Sequence, residues 1–293
     1  MKILLLGSSG NIGCELRLSL RSMGELFMPN RAESDFTNEP LLRKLIRDFQ
    51  PDWIINAAAY TNVEKAESES DLATQVNANA VRILGEEAAK QNCWLVHYST
   101  DYVFDGNKTG LYLEDDPVGP LCHYAKTKAE GEELLRNTNC KHLILRTSWV
   151  YSIHRENFPM TILKLAETRE KLTVVNDQTG APTGAVLIAD ATAHCLNKIE
   201  SNPKPAYSGT YHLSASGATT WFDYAKMLLK EMAKRGRIVK TKDVAPTSTE
   251  AYGAKALRPK NSRLDTTKFQ TTFEYTLPDW KAGVLEFADS ITR

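Results

Sequence analysis

Two residues into the chain, an apolar run (Ile3-Leu-Leu-Leu6) begins, and it breaks at Gly7-Ser-Ser-Gly10-Asn-Ile-Gly13, after which an amphipathic stretch opens at Asn11. Few short patterns restrict a fold so strongly. A strand that turns directly into a helix leaves the first N–H groups of that helix unpaired and facing the turn. Glycines at Gly7 and Gly10 permit the tight turn and let a pyrophosphate approach the backbone, and Gly13 lets the helix pack closely on the strand. A glycine pattern alone is weak, since ordinary strand–helix turns contain one. Its position after an apolar strand, inside a strand–helix alternation, predicts dinucleotide binding.

The alternation runs through the first half. Strands are expected at Ile3–Leu6, Leu26–Met28, Trp53–Ala58, Trp94–Ser99 and His142–Val150. Helices are expected at Asn11–Ser22, Asn38–Phe49, Asp71–Gln91 and Tyr124–Arg136. Strands apolar on both faces suit a parallel sheet buried between helices. The predicted fold is α/β, a doubly wound parallel Rossmann-type sheet over residues 1–150. Beyond Tyr151 the pattern loosens. Helices at Phe158–Arg169, Ala185–Lys198 and Thr219–Arg235, a strand at Gly209–Ser214 and an irregular stretch from Asp243 to Arg263 suggest a smaller substrate-binding lobe, 151–293, over the carboxyl ends of the strands. Residues about 185–214 are expected to return to the first domain.

Charge and cysteine usage narrow the partners. Thirty-six basic residues balance 36 acidic ones, so nothing draws the chain to nucleic acid or an anionic membrane. The opening apolar run is too short for a signal peptide or a membrane span, and Met1 reads as the start of the fold. Five scattered cysteines without metal-like spacing read as reduced thiols, which implies a cytoplasmic protein.

A second pattern carries chemistry. In His123-Tyr-Ala-Lys-Thr-Lys128, Tyr124 and Lys128 stand four apart on a predicted helix and share a face. A lysine cation beside a phenol favours the phenolate and lowers the phenol's pKa, which suits Tyr124 to deliver a proton to a carbonyl oxygen. A bare Tyr-x-x-x-Lys is common and usually means a partly buried tyrosine and a solvated lysine, so its context decides. The second strand ends Phe27-Met-Pro-Asn30-Arg31 with no carboxylate where a ribose 2′-hydroxyl would be bound, and Glu33 comes slightly late. Arg31 can pair with a 2′-phosphate or remain a solvated surface residue. NADPH is favoured, with NADH left open. Asp35 and Phe36 are expected under or beside the adenine.

With these features together the chain resembles an extended short-chain dehydrogenase/reductase. Further motifs occur in order: Asn56-Ala-Ala-Ala-Tyr-Thr61, Ser99-Thr-Asp-Tyr-Val-Phe-Asp-Gly106, Asn176-Asp-Gln-Thr-Gly-Ala-Pro-Thr183 and Arg258-Pro-Lys-Asn-Ser262. Over nearly the full length they resemble the dTDP-4-dehydrorhamnose reductase family. The resemblance implies NADPH-dependent reduction of the C4 ketone of a dTDP-linked 6-deoxyhexose, supplying rhamnose for cell-surface polysaccharide such as O-antigen. It implies Thr100, Tyr124 and Lys128 as the catalytic set, with Lys128 also holding the nicotinamide ribose. Cofactor contacts fall on Gly10, Asn11, Ile12, Asp35, Phe36, Ala59, Tyr60 and Thr61, with Tyr98 as a further candidate. Sugar-nucleotide contacts fall on Thr100, Asp101 and Trp149, with Tyr102 and Arg258 as weaker candidates. Trp149 has a plain alternative as core, and Asp177 and Gln178 as turn-shaping residues. Lys260 and Arg263 compete with Arg258 for a diphosphate.

Departures refine the expectation. Some members bind magnesium between subunits through carboxylates. Glu15 is present here, but Val186 stands where those members have a glutamate, and an aliphatic side chain cannot ligate a hard cation. No strongly bound magnesium is expected, and the carry-over of a homodimer is weakened though still open. Nucleotide-sugar dehydratases on this fold place an acid after the Thr-Asp pair; here it is Tyr102, which argues for a plain reductase. A reductase for a different dTDP-4-keto-6-deoxyhexose, or a non-catalytic regulatory subunit of the same fold, are the alternatives.

Overall fold

The computed structural model describes residues 1–292. In chain order, β1 (Lys2–Leu6), α1 (Asn11–Ser19), β2 (Glu25–Phe27), α2 (Glu39–Phe49) and β3 (Trp53–Asn56) come first. Helices α3 (Val63–Ala66), α4 (Ser70–Thr74) and α5 (Ala80–Gln91) follow, then β4 (Trp94–Thr100), α6 (His123–Arg136) and β5 (Lys141–Thr147). The later part contains β6 (Val150–Tyr151), α7 (Phe158–Ala166), β7 (Lys171–Val175), β8 (Thr179–Gly180), β9 (Thr183–Gly184) and α8 (Ala185–Ser201). After these come β10 (Gly209–His212), β11 (Thr219–Thr220), α9 (Trp221–Lys234), β12 (Asp243–Thr247), α10 (Thr249–Tyr252), α11 (Thr267–Phe273) and α12 (Trp280–Ser290).

The main sheet is all parallel, ordered β10-β5-β4-β3-β1-β2. Its inner strands, β1, β3, β4 and β5, are buried on both faces because helices cover both. Ile3 and Leu5 pack with Leu16 and Ile188 of α1 and α8. Leu4 and Leu6 pack with Leu42 and Leu84 of α2 and α5. The strand order reverses at β1, which has β2 on one side and β3 on the other. The loops after β1 and β3 therefore part, and this opens a crevice at the carboxyl ends of the strands. A second apolar cluster, with Leu163, Val174, Tyr224, Leu228 and Trp280, gathers α7, β7, α9 and α12. No helix among the described residues is long and apolar enough to cross a membrane.

Several boundaries differ from the sequence expectation, each for a local reason. The expected helix 71–91 contains a π-helical turn, Gln75–Asn79. There Asn77 accepts the Tyr60 N–H (2.8 Å) and donates to the Tyr60 carbonyl (3.0 Å), so the widened turn serves the loop after β3. The fifth strand ends at Thr147, because Trp149 takes a left-handed backbone (φ 47°). Part of the stretch expected to be irregular is a strand: β12 runs parallel to β7, and Pro246 is tolerated because β12 is an edge. The sequence pattern does not predict α11 or α12; Asp279 caps the latter by accepting the Lys281 N–H (3.0 Å).

The contact between α6 and the π turn is close. At Gly131 a Cβ would fall inside the Asn77 backbone carbonyl. Gly131→Ala should destabilise the protein by about 1–3 kcal/mol, the usual cost of overpacking, as read by urea denaturation.

Candidate active site

The glycine loop is shaped for an anion. Gly7 has φ +77°, and a Cβ there would strike the Ala57–Ala58 backbone; at Gly13 it would strike the Gly7 carbonyl. The loop is closed by Gly10 N–H to the Gly7 carbonyl (3.0 Å), and the first bond of α1 is Cys14 N–H to the Gly10 carbonyl (3.0 Å). No side chain caps the helix, so the N–H groups of Asn11, Ile12 and Gly13 remain for a ligand. Two residues that the sequence did not single out reach this loop from the segment after β6. Ser152 donates to Asn11 Oδ1 (2.6 Å), and Arg155 Nε donates to the Ser9 carbonyl (2.9 Å). No spacing pattern links them to the loop.

At the end of β2, Arg31 is exposed. Glu33 folds back to accept the Asn30 N–H (2.7 Å). Asp35 accepts the Thr37 N–H and hydroxyl (2.9 and 2.8 Å), and these bonds hold its carboxyl below its ordinary value. Phe36 is buried in the core beside Leu4 and Leu42. Ala59, Tyr60 and Thr61 lie in the loop after β3 that Asn77 clamps, and the Tyr60 hydroxyl donates to Glu69 (2.6 Å). These free N–H groups, the close backbone approach at Gly7 and the exposed Arg31 fit a phosphorylated dinucleotide.

The chemistry-bearing residues meet where β4 ends and α6 begins. Thr100 donates to Asp101 Oδ1 (3.0 Å) and accepts the Tyr102 N–H (3.2 Å), and its hydroxyl lies near enough to the Tyr124 phenol to favour the phenolate in part. The Tyr124 ring meets Tyr102 edge-on, with centroids 6.3 Å apart. Lys128 is 2% exposed. Its Nζ donates to the Tyr98 carbonyl (2.6 Å) and lies 3.1 Å from His97 Nε2. The expectation that the lysine lowers the Tyr124 pKa does not hold in this structure. Burial raises the phenol, the Thr100 hydroxyl draws it only partly back, and the ammonium is turned to β4. Burial also pushes Lys128 down to about 8, opposed by the charge of Glu132. The Tyr98 ring itself points to the opposite face of the sheet, where its hydroxyl meets Thr192 (2.8 Å).

Asp101 is 2% exposed, and burial pushes its carboxyl up to about 7 against the Ser262 and Thr100 hydroxyls. Its Oδ2 has no hydrogen-bond partner. Arg258 donates to Glu64 Oε1 (2.7 Å) and to the Ala256 carbonyl (3.2 Å). Burial lowers its pKa, but Tyr102 and Glu64 outweigh that and raise it. Trp149 stacks on Trp221 (centroids 3.5 Å, 8°), and a Cβ at Gly180 would collide with its ring. A bulky residue held left-handed is strained, a state found mainly at functional positions. Asp177 accepts from the Thr249 N–H and hydroxyl (2.8 and 2.6 Å), and Gln178 accepts from Trp221 Nε1 (3.0 Å), so both tie loops together. Glu15 faces His154 Nε2 at 2.9 Å.

The profile of the family described as RmlD substrate binding domain matches residues 1–293. The chain belongs to this family, that of the dTDP-4-dehydrorhamnose reductases. The dTDP-4-dehydrorhamnose reductase of Escherichia coli (strain K12) is 46% identical over 288 residues, spanning 97% of this chain and 96% of that protein. The crystal structure of the Clostridium acetobutylicum dTDP-4-dehydrorhamnose reductase ortholog superimposes with a TM-score of 0.90 at 32% identity, covering 100% of both chains. The Bacillus anthracis dTDP-4-dehydrorhamnose reductase, solved in complex with NADP, gives 0.89 at 31% identity over 99% and 100% of the two chains. These structures share the doubly wound α/β fold described above.

Asp101 yields a pH-dependent expectation. A carboxyl raised from 3.8 to about 7 favours folding below pH ~4, and that contribution is lost as pH rises through 7. Asp101→Asn should therefore be more stable than the parent at pH 8, by up to about 4 kcal/mol, with the gap closing toward pH 4. Urea titrations at the two pH values measure it.

Proposed function

We propose that this protein reduces the C4 ketone of dTDP-4-dehydro-L-rhamnose with NADPH to give dTDP-L-rhamnose, the sugar donor for rhamnose-containing surface polysaccharide. The observation that carries the reading is the meeting of Thr100 and Tyr124 at the carboxyl end of β4, above a buried Lys128, in a chain of this family.

The glycine loop and the first N–H groups of α1 would take the pyrophosphate, and Arg31 the 2′-phosphate. NADPH, when bound, supplies the hydride. The residues of the chain handle position and proton. Thr100 hydrogen-bonds the ketone oxygen and orients it. Tyr124, half-buried and held protonated by desolvation, gives its proton to the oxygen as negative charge develops there. Lys128 would hold the nicotinamide ribose. Asp101, with one unpartnered oxygen, accepts a sugar hydroxyl or donates to it. Trp149 borders the sugar, and Arg258 exchanges Glu64 for the diphosphate. Tyr102 follows Asp101, so no second carboxylic acid stands there for elimination.

The five free cysteines, four of them buried, support a cytoplasmic setting. A homodimer is an open option rather than the expected assembly; Leu18 of α1 and Val186 of α8, both exposed on helices that pack together, offer it apolar area.

The deciding experiment is NADPH oxidation with dTDP-4-dehydro-L-rhamnose, with NMR of the product to read the C4 configuration. Tyr124→Phe should lose turnover by at least about 10²-fold while NADPH binding stays near the parent value. A Phe variant that reduces the ketone at the parent rate sinks the assignment of the acid. Arg31→Ala should raise KM for NADPH by about tenfold and leave KM for NADH nearly unchanged, since only the 2′-phosphate loses a partner.

A further inference from the structure

The lysine of the proton-transfer set is enclosed by β4 and hydrogen-bonds to neither the tyrosine nor a carboxylate. Its Nζ donates to the Tyr98 carbonyl (2.6 Å) and stands 3.1 Å from His97 Nε2. Proton positions along this chain follow from its far end. The Ala58 N–H donates to Asn56 Oδ1 (3.2 Å), which orients the amide so that Nδ2 faces His97 Nδ1 at 3.1 Å. An amide nitrogen only donates, so Nδ1 must accept. A neutral imidazole that accepts at Nδ1 carries its proton at Nε2. His97 is fully buried, and burial alone favours its neutral form, pushing it well below its ordinary value. Its Nε2–H therefore points at Nζ. An ammonium has no lone pair to receive it, but a free amine has one.

Other charges near Lys128 do not reverse this. On α6, Glu132 lies one turn beyond, but its carboxylate is taken by Arg146 of β5 (2.6 and 2.9 Å) and Arg136 (3.2 Å). Tyr124, one turn before, is held protonated by burial. His142 of β5 is itself lowered by burial and brings no charge near neutral pH.

We propose that His97 is a positioning residue for Lys128: oriented by Asn56, it donates Nε2–H to Nζ, and so favours the free amine of Lys128 in the ligand-free protein at mildly alkaline pH. The lysine's charge state is then set from behind, by a histidine that touches no substrate. Burial of Lys128, which brings its titration down to about 8, agrees with this arrangement. Only the kinetic arm of the test rests on the ketone-reduction reading.

The test begins without any variant. In ligand-free protein labelled with ¹⁵N-histidine, two-bond ¹⁵N–¹H correlations should show His97 as the Nε2–H tautomer, and lysine side-chain NMR should show one residue titrating near 8. An Nδ1–H tautomer overturns the proposal. His97→Leu removes the donor, so the Lys128 midpoint should rise by about one pH unit, and the alkaline limb of kcat/KM for NADPH, which reports the free enzyme, should move with it. His97→Gln, whose amide N–H can donate in place of Nε2–H, should restore the parent midpoint. A Leu-variant midpoint that stays or falls overturns the proposal, because a histidine that accepted from an ammonium would shift it downward on removal. If the variants do not fold, the tautomer in the parent protein still decides. If no ketone reduction is detected, the function fails while the NMR result stands.

Discussion

A carboxylate and a guanidinium inside the helix–sheet interface govern how the proton-transfer residues are presented. Glu132 is 0% exposed on α6, one turn beyond Lys128, and Arg146 is 2% exposed on β5. They meet through two hydrogen bonds, at 2.6 and 2.9 Å. Burial pushes the Glu132 carboxyl up, but the Arg146 guanidinium overrides it and holds the group below its ordinary value. Arg146 also donates to the Glu114 carbonyl (3.0 Å) and lies over the Phe104 ring. Deleting one partner of such a pair would leave a buried charge uncompensated, typically a cost of about 3–5 kcal/mol. The pair ties α6, which carries Tyr124 and Lys128, to β5.

Desolvation then sets the chemistry. It keeps Tyr124 protonated, makes Lys128 easy to discharge and makes Asp101 hard to ionise. Around the end of β4, burial favours the neutral form of all three. The same burial explains why hydrogen-bond direction matters so much behind Lys128, since a buried donor facing a donor has no water to turn to. Asn77 and Gly131 serve the same end from the other side: the π turn clamps the loop after β3 while the bare glycine lets α6 come up against it.

Much of the fold is legible in the order of residues alone. An apolar strand at Ile3–Leu6, the glycines at Gly7, Gly10 and Gly13, and the alternation that follows are local patterns with local causes, and they lead to a doubly wound parallel sheet. Motifs in order along the whole length lead to the reductase family. The less legible parts depend on contacts distant in sequence. The pairing of β12 with β7 joins residues some 70 apart, and neither strand has a distinctive pattern of its own. Ser152 and Arg155 reach the glycine loop across about 140 residues. Asn77 has the sequence surroundings of an ordinary helical residue.

By itself the sequence determined which residue types stand at the ends of the strands, because spacing and glycine placement act over a few residues. It placed Tyr124 and Lys128 on one helical face and Thr100 at the end of β4. Only the tertiary structure decided what those residues are electrically. Burial depth, the orientation of the Asn56 amide and the commitment of Glu132 to Arg146 come from packing between elements, and they turned the lysine from the phenol toward Tyr98 and His97. A pKa is set by surroundings in three dimensions, and four-residue spacing carries no information about them.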